Sequence, residues 1–257
     1  MNYTDSKFHN LSVNYFSIDA LEKTGLVKAF YTTSSISAWK YGNGNWAENY
    51  ARLGALDEIG TSDMCTTYQT HTSVVRVMKE ENIGEGILRP TAIKDYDGII
   101  TDRKRLLLCS FEADCVPVYF LDPENKAIGL SHSGWKGTAK LISKETVKAM
   151  IQEFNTKPEN LIVVIGPCAC EKCYEVGPEL IDEFCNNFDI DKIFIPRNNG
   201  KFSLDMKAAI EFTLIECGVK KTNIFSVDKC TIESENLCSF RRTKSATDHM
   251  LTAIMLK

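Results

Sequence analysis

The chain has 257 residues, with 30 Lys and Arg against 34 Asp and Glu, four His and a formal net charge of −4. At roughly 100–200 residues per domain, and with 44% apolar residues, it can build one large buried core, which excludes intrinsic disorder and fibrous repeats. A pI near 5.7 without a block of like charges gives no electrostatic footprint for nucleic acid or an anionic membrane, leaving a small-molecule substrate as the default partner.

The N-terminal segment MNYTDSKFHN lacks the charged start and apolar stretch of a signal peptide. The longest apolar runs, at 116–121 and 161–165, fall well short of the roughly 18 residues that span a bilayer. A cytoplasmic protein is expected, with its ten cysteines mostly reduced and buried.

In chain order, short β-branched or aromatic runs bounded by turn residues predict strands at 26–32, 74–78, 98–100, 106–110, 116–121, 127–131, 161–165 and 224–227. Trp46, Tyr50 and Leu53 form a weak amphipathic helix pattern near the start. Asp122, Pro123 and Asn125 mark a hairpin turn over 121–126. A helix with Thr138 as N-cap buries Ile142, Ala149, Met150 and Phe154. A second starts at Pro178 and buries Leu180, Ile181 and Phe184. A third runs from Asp205 as N-cap through Ile210, Leu214 and Cys217 to a stop at Gly218. No linker or repeat divides the chain, so residues 1–257 read as one domain. Strands in clusters rather than in strict alternation with helices predict an α+β (mixed α/β) fold of mixed sheets with flanking helices.

The segment EADCVPVYFLDPENKAIGLSHSGWKG, 112–137, is the richest in reactive side chains. If 116–131 folds as an antiparallel hairpin, residues equidistant from the turn face one another, which brings Cys115 to His132. His71 stands at the mouth of another strand in YQTHTSVVRV. Two imidazoles and a thiolate make a three-ligand site of the kind that leaves zinc an open fourth position. The same residues permit a mononuclear copper site, or a thiol hydrolase with Cys115 as nucleophile and His132 as base, or a structural zinc closed by a fourth side chain. A multicopper centre needs on the order of ten imidazoles, more than His9, His71, His132 and His249 supply.

The motifs QTH (69–71), DGIITD (97–102), ADCVP (113–117), HSGWKG (132–137), IGPCACEKCYEVG (165–177), FSLDM (202–206) and CSFRR (238–242), in this order, resemble the laccase-domain family. That family was called polyphenol or multicopper oxidase and is now mostly described as zinc-containing purine nucleoside phosphorylases with adenosine deaminase activity. The resemblance runs from about Lys28 to the C-terminus. It implies a four-layer α/β/β/α domain in which His71, Cys115 and His132 bind one zinc ion. It also implies phosphorolysis of adenosine, inosine and methylthioadenosine and deamination of adenosine. Copper-dependent phenol oxidation and a peptidoglycan-editing role are further activities associated with the family. The chain departs from it at Lys136, where arginine is usual, in its Cys-rich 165–177 segment, and at Asp248 and His249, where Gly-Arg is usual; these changes bear on substrate preference.

On this reading a carboxylate must relay protons to the leaving ammonia, and Glu175 is the candidate relay, with Asp114 as a structural neighbour of the ligand. The turn from Ser133 to Thr138 enters a helix directly after His132, so its backbone N–H groups and Lys136 form a candidate phosphate cradle. Arg52, Arg241 and Arg242 are further anion candidates, and Trp135, Tyr174 and Phe240 are candidates to stack on a base. Cys168, Cys170 and Cys173 read as pocket-lining thiols rather than a second metal centre, because no fourth ligand follows at finger-like spacing. The protein is expected to act as a monomer or homodimer.

Overall fold

The computed structural model describes residues 3–8, 11–35 and 63–257. The predicted helix through Trp46, Tyr50 and Leu53, and the anion candidate Arg52, lie outside the described residues. In chain order the strands are β1 (Tyr3–Phe8), β2 (Leu11–Ser17), β3 (Val27–Thr32), β4 (Met64–Thr66), β5 (Val75–Val77), β6 (Gly98–Thr101), β7 (Leu107–Glu112) and β8 (Val116–Asp122). They continue with β9 (Ala127–Ser133), β10 (Ile162–Ile165), β11 (Glu175–Val176), β12 (Phe194–Pro196), β13 (Phe202–Leu204), β14 (Ile224–Ser226) and β15 (Met250–Leu256).

One mixed sheet has the order β1-β2-β3-β15-β7-β4, a second β14-β10-β8-β9-β6-β5, and β11-β13-β12 form a small third sheet. The first two stack face to face: Tyr31, Leu108 and Ile254 of the first share one buried cluster with Ile99, Tyr119 and Leu130 of the second. The hydroxyl of Tyr119 donates to the carbonyl of Phe30 at 3.0 Å, tying the sheets together in the dry interior. The other face of the second sheet, with Val118, Phe120 and Val163, packs on the helices. Mixed sheets flanked by helices are the architecture read from the sequence. Among the described residues no helix is long and apolar enough to cross a membrane.

After α1 (Asp19–Glu22), the next helix, α2 (Trp135–Ala139), follows β9 immediately, and α3 spans Ile142–Phe154. Thr138 is therefore not an N-cap: Gly134 holds that position, and Thr138 sits buried inside α2. The break between α2 and α3 falls at Leu141, whose φ of 63° is left-handed. Further on are α4 (Glu179–Phe184), α5 (Ile190–Ile193), α6 (Met206–Glu216) and α7 (Phe240–Thr243). The Asp205 side chain caps α6 as predicted, accepting from the Ala208 N–H at 2.9 Å, and Gly218 takes φ +92° just beyond its end.

The β8–β9 hairpin turns where Asp122, Pro123 and Asn125 place it. The Asp122 carboxylate accepts from the backbone N–H of Glu124 and of Asn125, each at 3.0 Å, an Asx turn that fixes the register. Pro117 lies opposite His132, and Val116 opposite Ser133. Cys115 therefore stands two residues from the position opposite His132, on the same face as Pro117, and reaches the imidazole diagonally rather than across the ladder. The end of the two-sheet stack that carries the start of β8 also receives the ends of β7 and β9 and the residues leading into β5 and β6.

Replacing Tyr119 by Phe removes the buried inter-sheet bond and leaves the Phe30 carbonyl short of a donor. A loss of about 1–2 kcal/mol in unfolding free energy is expected. Urea titration with unchanged slope, together with unchanged metal content, checks it.

Candidate metal centre

His71, Cys115 and His132 converge: one ligand atom from each lies within 4.8 Å of the other two. The Cys115 sulfur is 3.9 Å from His71 Nε2, and the two imidazole rings meet edge to face at 4.9 Å between centroids. His132 is buried, Cys115 half-buried and His71 exposed, so the cluster opens to solvent on the His71 side.

One carboxylate positions both imidazoles. Asp97, fully buried just before β6, accepts from His132 Nδ1 at 2.7 Å, which turns Nε2 toward the cluster. Its oxygens also accept from the backbone N–H groups of Thr70 (3.2 Å), His71 (3.1 Å) and Thr72 (2.7 Å), and from the Thr72 hydroxyl at 2.8 Å. That loop holds His71 at a left-handed φ of 64°, a strained backbone for a residue with a Cβ. Burial by itself would raise the Asp97 pKa, but the hydrogen bond and charge of His132, with the bonds from Thr72, hold it below the ordinary carboxylate range.

Space for an ion is set by Gly134. A Cβ built there would lie 2.5 Å from His71 Cδ2 and 3.0 Å from the Cys115 sulfur. Its φ of −70° suits any residue, so the demand for glycine comes from the cluster and not from the backbone.

Glu112, the last residue of β7, is fully buried beside this centre. Its Oε1 accepts from the Ser110 hydroxyl at 2.7 Å, while Oε2 lies 3.8 Å from His132 Nε2 and has no hydrogen-bond partner among the described residues. Burial pushes its pKa up to about 8 against the opposing pull of His132 and Ser110. For His132, burial acts downward, yet its interactions with Cys115 and Glu112 and its hydrogen bond to Asp97 raise its pKa well above the usual value. Asp97 thus sets an ionised carboxylate directly behind the ligand cluster, bonded to His132.

A cavity of about 490 Å³ opens from the cluster, within the range of about 300–1,000 Å³ typical of small-molecule sites. Trp135, Tyr174, Phe240 and Arg241, the stacking and anion candidates read from the sequence, are among its lining residues. The Arg241 guanidinium lies 5.1 Å from the centroid of the Tyr174 ring and donates from Nη1 to the Glu175 carbonyl at 2.8 Å. Asp114 is structural: its carboxylate accepts from the Thr231 hydroxyl and from the Arg241 N–H, both at 2.6 Å.

Three sequence candidates stand elsewhere. The Glu175 carboxylate, proposed as the relay, pairs with Lys201 at 2.7 Å and Arg197 at 3.4 Å on the small third sheet and does not line the cavity. Those cations hold its pKa below the ordinary value, which suits a permanent ion pair and not a proton carrier. Lys136 is exposed, with its ammonium 5.4 Å from the centroid of the Trp135 ring and outside the cavity lining. Arg242 spends its guanidinium on the carbonyls of Thr231, Ile232, Ser234 and Leu237. Asp97 and Glu112 are the residues that sequence reasoning missed. For Glu112 a signal existed: extending the 106–110 strand in alternation with Leu108 and Ser110 puts Glu112 on the inter-sheet face.

The fold and site define a mixed two-sheet α/β protein with a solvent-facing His₂Cys cluster, a candidate metal site, at one end of the stack. The chain belongs to the family described as multi-copper polyphenol oxidoreductase laccase, whose model matches residues 30–257. It is 32% identical over 192 residues to purine nucleoside phosphorylase YlmD of Bacillus subtilis, covering 74% of this chain and 69% of that protein. It is 30% identical over 217 residues to adenosine deaminase RL5 from an unknown prokaryotic organism, covering 80% and 81%. Among solved structures, Bacillus licheniformis hypothetical protein YfiH superposes with a TM-score of 0.87 at 28% identity, covering 95% of this chain and 96% of that one. YlmD from Geobacillus stearothermophilus superposes with a TM-score of 0.83 at 25% identity, covering 91% and 93%.

Two substitutions test the centre. Gly134→Ala should abolish metal retention while leaving the far-ultraviolet circular dichroism intact, because the atoms nearest the added methyl belong to His71 and Cys115. Asp97→Asn, which sets an NH₂ donor among donors, should weaken metal affinity by about 10–100-fold in competition against a chromophoric chelator.

Proposed function

We propose that the protein is a zinc-dependent purine nucleoside phosphorylase that also deaminates adenosine, with His71, Cys115 and His132 as the metal ligands. The observation that carries this reading is the convergence of these three ligand atoms at the mouth of a cavity walled by aromatic side chains and an arginine. The names of the relatives, phosphorylase for YlmD and adenosine deaminase for RL5, agree with it. Two neutral imidazoles and one thiolate fit zinc and leave an open position, since no fourth side chain belongs to the cluster among the described residues. When bound, zinc supplies Lewis acidity and lowers the pKa of water at neutral pH.

The chain's own groups account for the rest. Tyr174, Trp135 and Phe240 offer faces on which a purine stacks, and Arg241 presents a positive charge for the phosphate or ribose end. In phosphorolysis the bond from ribose C1′ to purine N9 breaks as a phosphate oxygen bonds C1′, and the departing base takes up a proton. In deamination water adds at C6 and ammonia leaves. Glu112, whose Oε2 has no hydrogen-bond partner among the described residues and lies 3.8 Å from His132 Nε2 at the back of the cluster, is the candidate in place of Glu175 to give and recover a proton. Lys136, exposed on α2 with its ammonium 5.4 Å from the centroid of the cavity-lining Trp135 ring, stays the candidate that adds charge to the backbone N–H groups of the 133–138 turn for phosphate.

A second reading has one observation behind it. Cys115, His132 and Asp97 also stand in the order of a thiol triad, with Asp97 bonded to His132 Nδ1, as a cysteine-dependent hydrolase of the peptidoglycan-editing type requires. The presence of His71 at the same sulfur favours the metal, because a thiol nucleophile has no use for a second imidazole as ligand. Copper can occupy the same donors, and phenol oxidation then follows from the copper-loaded form alone.

The test is chromatography of products from adenosine, inosine and methylthioadenosine with and without phosphate, using zinc-loaded, copper-free protein. Ribose 1-phosphate that appears only with phosphate, and inosine that appears from adenosine without it, are expected. Glu112→Gln should lower kcat by about 10²–10⁴-fold with little change in KM and no loss of zinc. Turnover by copper-loaded protein alone, or full activity of His71→Ala, overturns the assignment.

A further inference from the structure

A second group of soft ligands lies away from the His₂Cys centre. Cys170, Cys173, Cys230 and Glu233 each bring one ligand atom within 4.8 Å of all the others. The segment 165–177 supplies Cys-x-x-Cys, and a segment 60 residues later in the chain supplies Cys-x-x-Glu. Spacing within either segment shows only half of this set, which is why the sequence yields no fourth ligand.

Both halves are tight turns whose backbone is already arranged for ligation. The N–H groups of Cys173 and Tyr174 donate to the Cys170 carbonyl at 3.0 and 2.9 Å, and the Ser234 N–H donates to the Cys230 carbonyl at 3.0 Å. A β-bridge between Cys168 and Cys230 aligns the turns, with the Thr231 N–H donating to the Cys168 carbonyl at 3.0 Å. Cys168 itself is buried in the core and takes no part. The Cys170 N–H donates to the Cys230 sulfur at 3.4 Å, the outer contact that metal-bound thiolates receive. The Arg242 guanidinium, bonded to the carbonyls of Thr231, Ile232 and Ser234, clamps the second turn from behind.

We propose that these four side chains form a second metal site that binds a zinc-class divalent cation and serves a structural purpose. Three thiolates select a soft or borderline ion, and the Glu233 carboxylate completes a tetrahedron with no position left for substrate. Sulfur atoms on a tetrahedral zinc ion lie about 3.8 Å apart, a small contraction from the observed spread. Binding releases the thiol protons to solvent, including the one that Cys173 now donates to Glu233 at 3.3 Å. A Cys170–Cys173 disulfide would use two of the four groups and leave Cys230 and Glu233 without a reason to converge. The site would fasten the turn that precedes Tyr174 to the one that leads to Phe240 and Arg241, so it holds together two walls of the main cavity.

The test measures metal per chain in protein purified under reducing conditions. Wild type should carry two equivalents of zinc, His71→Ala one, and Cys170→Ser one. His71→Ala reconstituted with cobalt(II) should show tetrahedral d–d bands and the near-ultraviolet charge-transfer absorption of several thiolates, and Cys230→Ser in that background should abolish both. Glu233→Gln, which keeps every thiol, should fold as wild type and weaken cobalt binding in the His71→Ala background by at least about tenfold. The proposal is overturned if monodisperse His71→Ala binds no zinc or cobalt. It is equally overturned if metal-free wild type, isolated without reductant, is lighter by two hydrogens with Cys170 and Cys173 recovered in one disulfide-linked peptide.

Discussion

The candidate metal site depends on a single buried carboxylate. Asp97 belongs to neither the loop that carries His71 nor the strand that carries His132, yet it fixes both, one through the backbone and the other through Nδ1. It accepts five bonds from donors only, and that uniformity keeps it ionised inside the protein in spite of burial. The left-handed backbone of His71 costs on the order of 1–3 kcal/mol, and the fan of N–H groups around Asp97 is the interaction that holds it there. Removing this carboxylate therefore frees two ligands at once, although it touches neither at the metal-facing atom.

Much of the sheet framework is legible in the sequence. Each of the eight predicted strands exists, because a short apolar run closed by turn residues has few other uses. The missed strands have specific causes. β15, fully buried in the middle of the first sheet, reads MLTAIML, whose apolar run suits a helix as well as a strand. β11 to β13 are two or three residues long and exist through pairing with one another, which leaves no local pattern. The helix expected from Thr138 is divided because α2 begins directly at the end of β9, where the backbone must turn tightly past the metal ligands at Gly134.

At the site, the ligand triad was readable because its motifs resemble those of a known family, while the polar residues that support it were not. Glu112 and Asp97 stand at the ends of apolar strands, where a carboxylate ordinarily marks the return to solvent. Here the strand ends converge between two stacked sheets, so the same sequence position is dry. Glu175 shows the opposite case: it lies inside a motif of the family, but Lys201 and Arg197 hold its charge on a separate small sheet. Proximity in sequence to a reactive residue is weak information when strands alternate direction. Facing parity is stronger, and it links Leu108, Ser110 and Glu112 along β7.

Register, more than side-chain identity, decides which donors meet. The β8–β9 ladder has Pro117 opposite His132, so Cys115 reaches the imidazole along the diagonal, and Gly134 falls in the space between the ligands. A slip of one residue would turn His132 to the opposite face of the sheet and separate it from Asp97, Glu112 and Cys115 together. The Asp122 turn at the far end of the hairpin prevents that slip by binding two backbone N–H groups that exist in this geometry only for this loop length. The family's description as a multi-copper oxidoreductase implies several imidazole-rich sites, whereas this chain has four His and gathers two of them in its one His-bearing cluster among the described residues. The same principle of distant turns brought into register accounts for the thiol cluster, where a β-bridge at Cys168 and Cys230 sets one Cys-x-x turn against another. Both clusters are thus products of strand pairing, and each is as secure as the ladder beneath it.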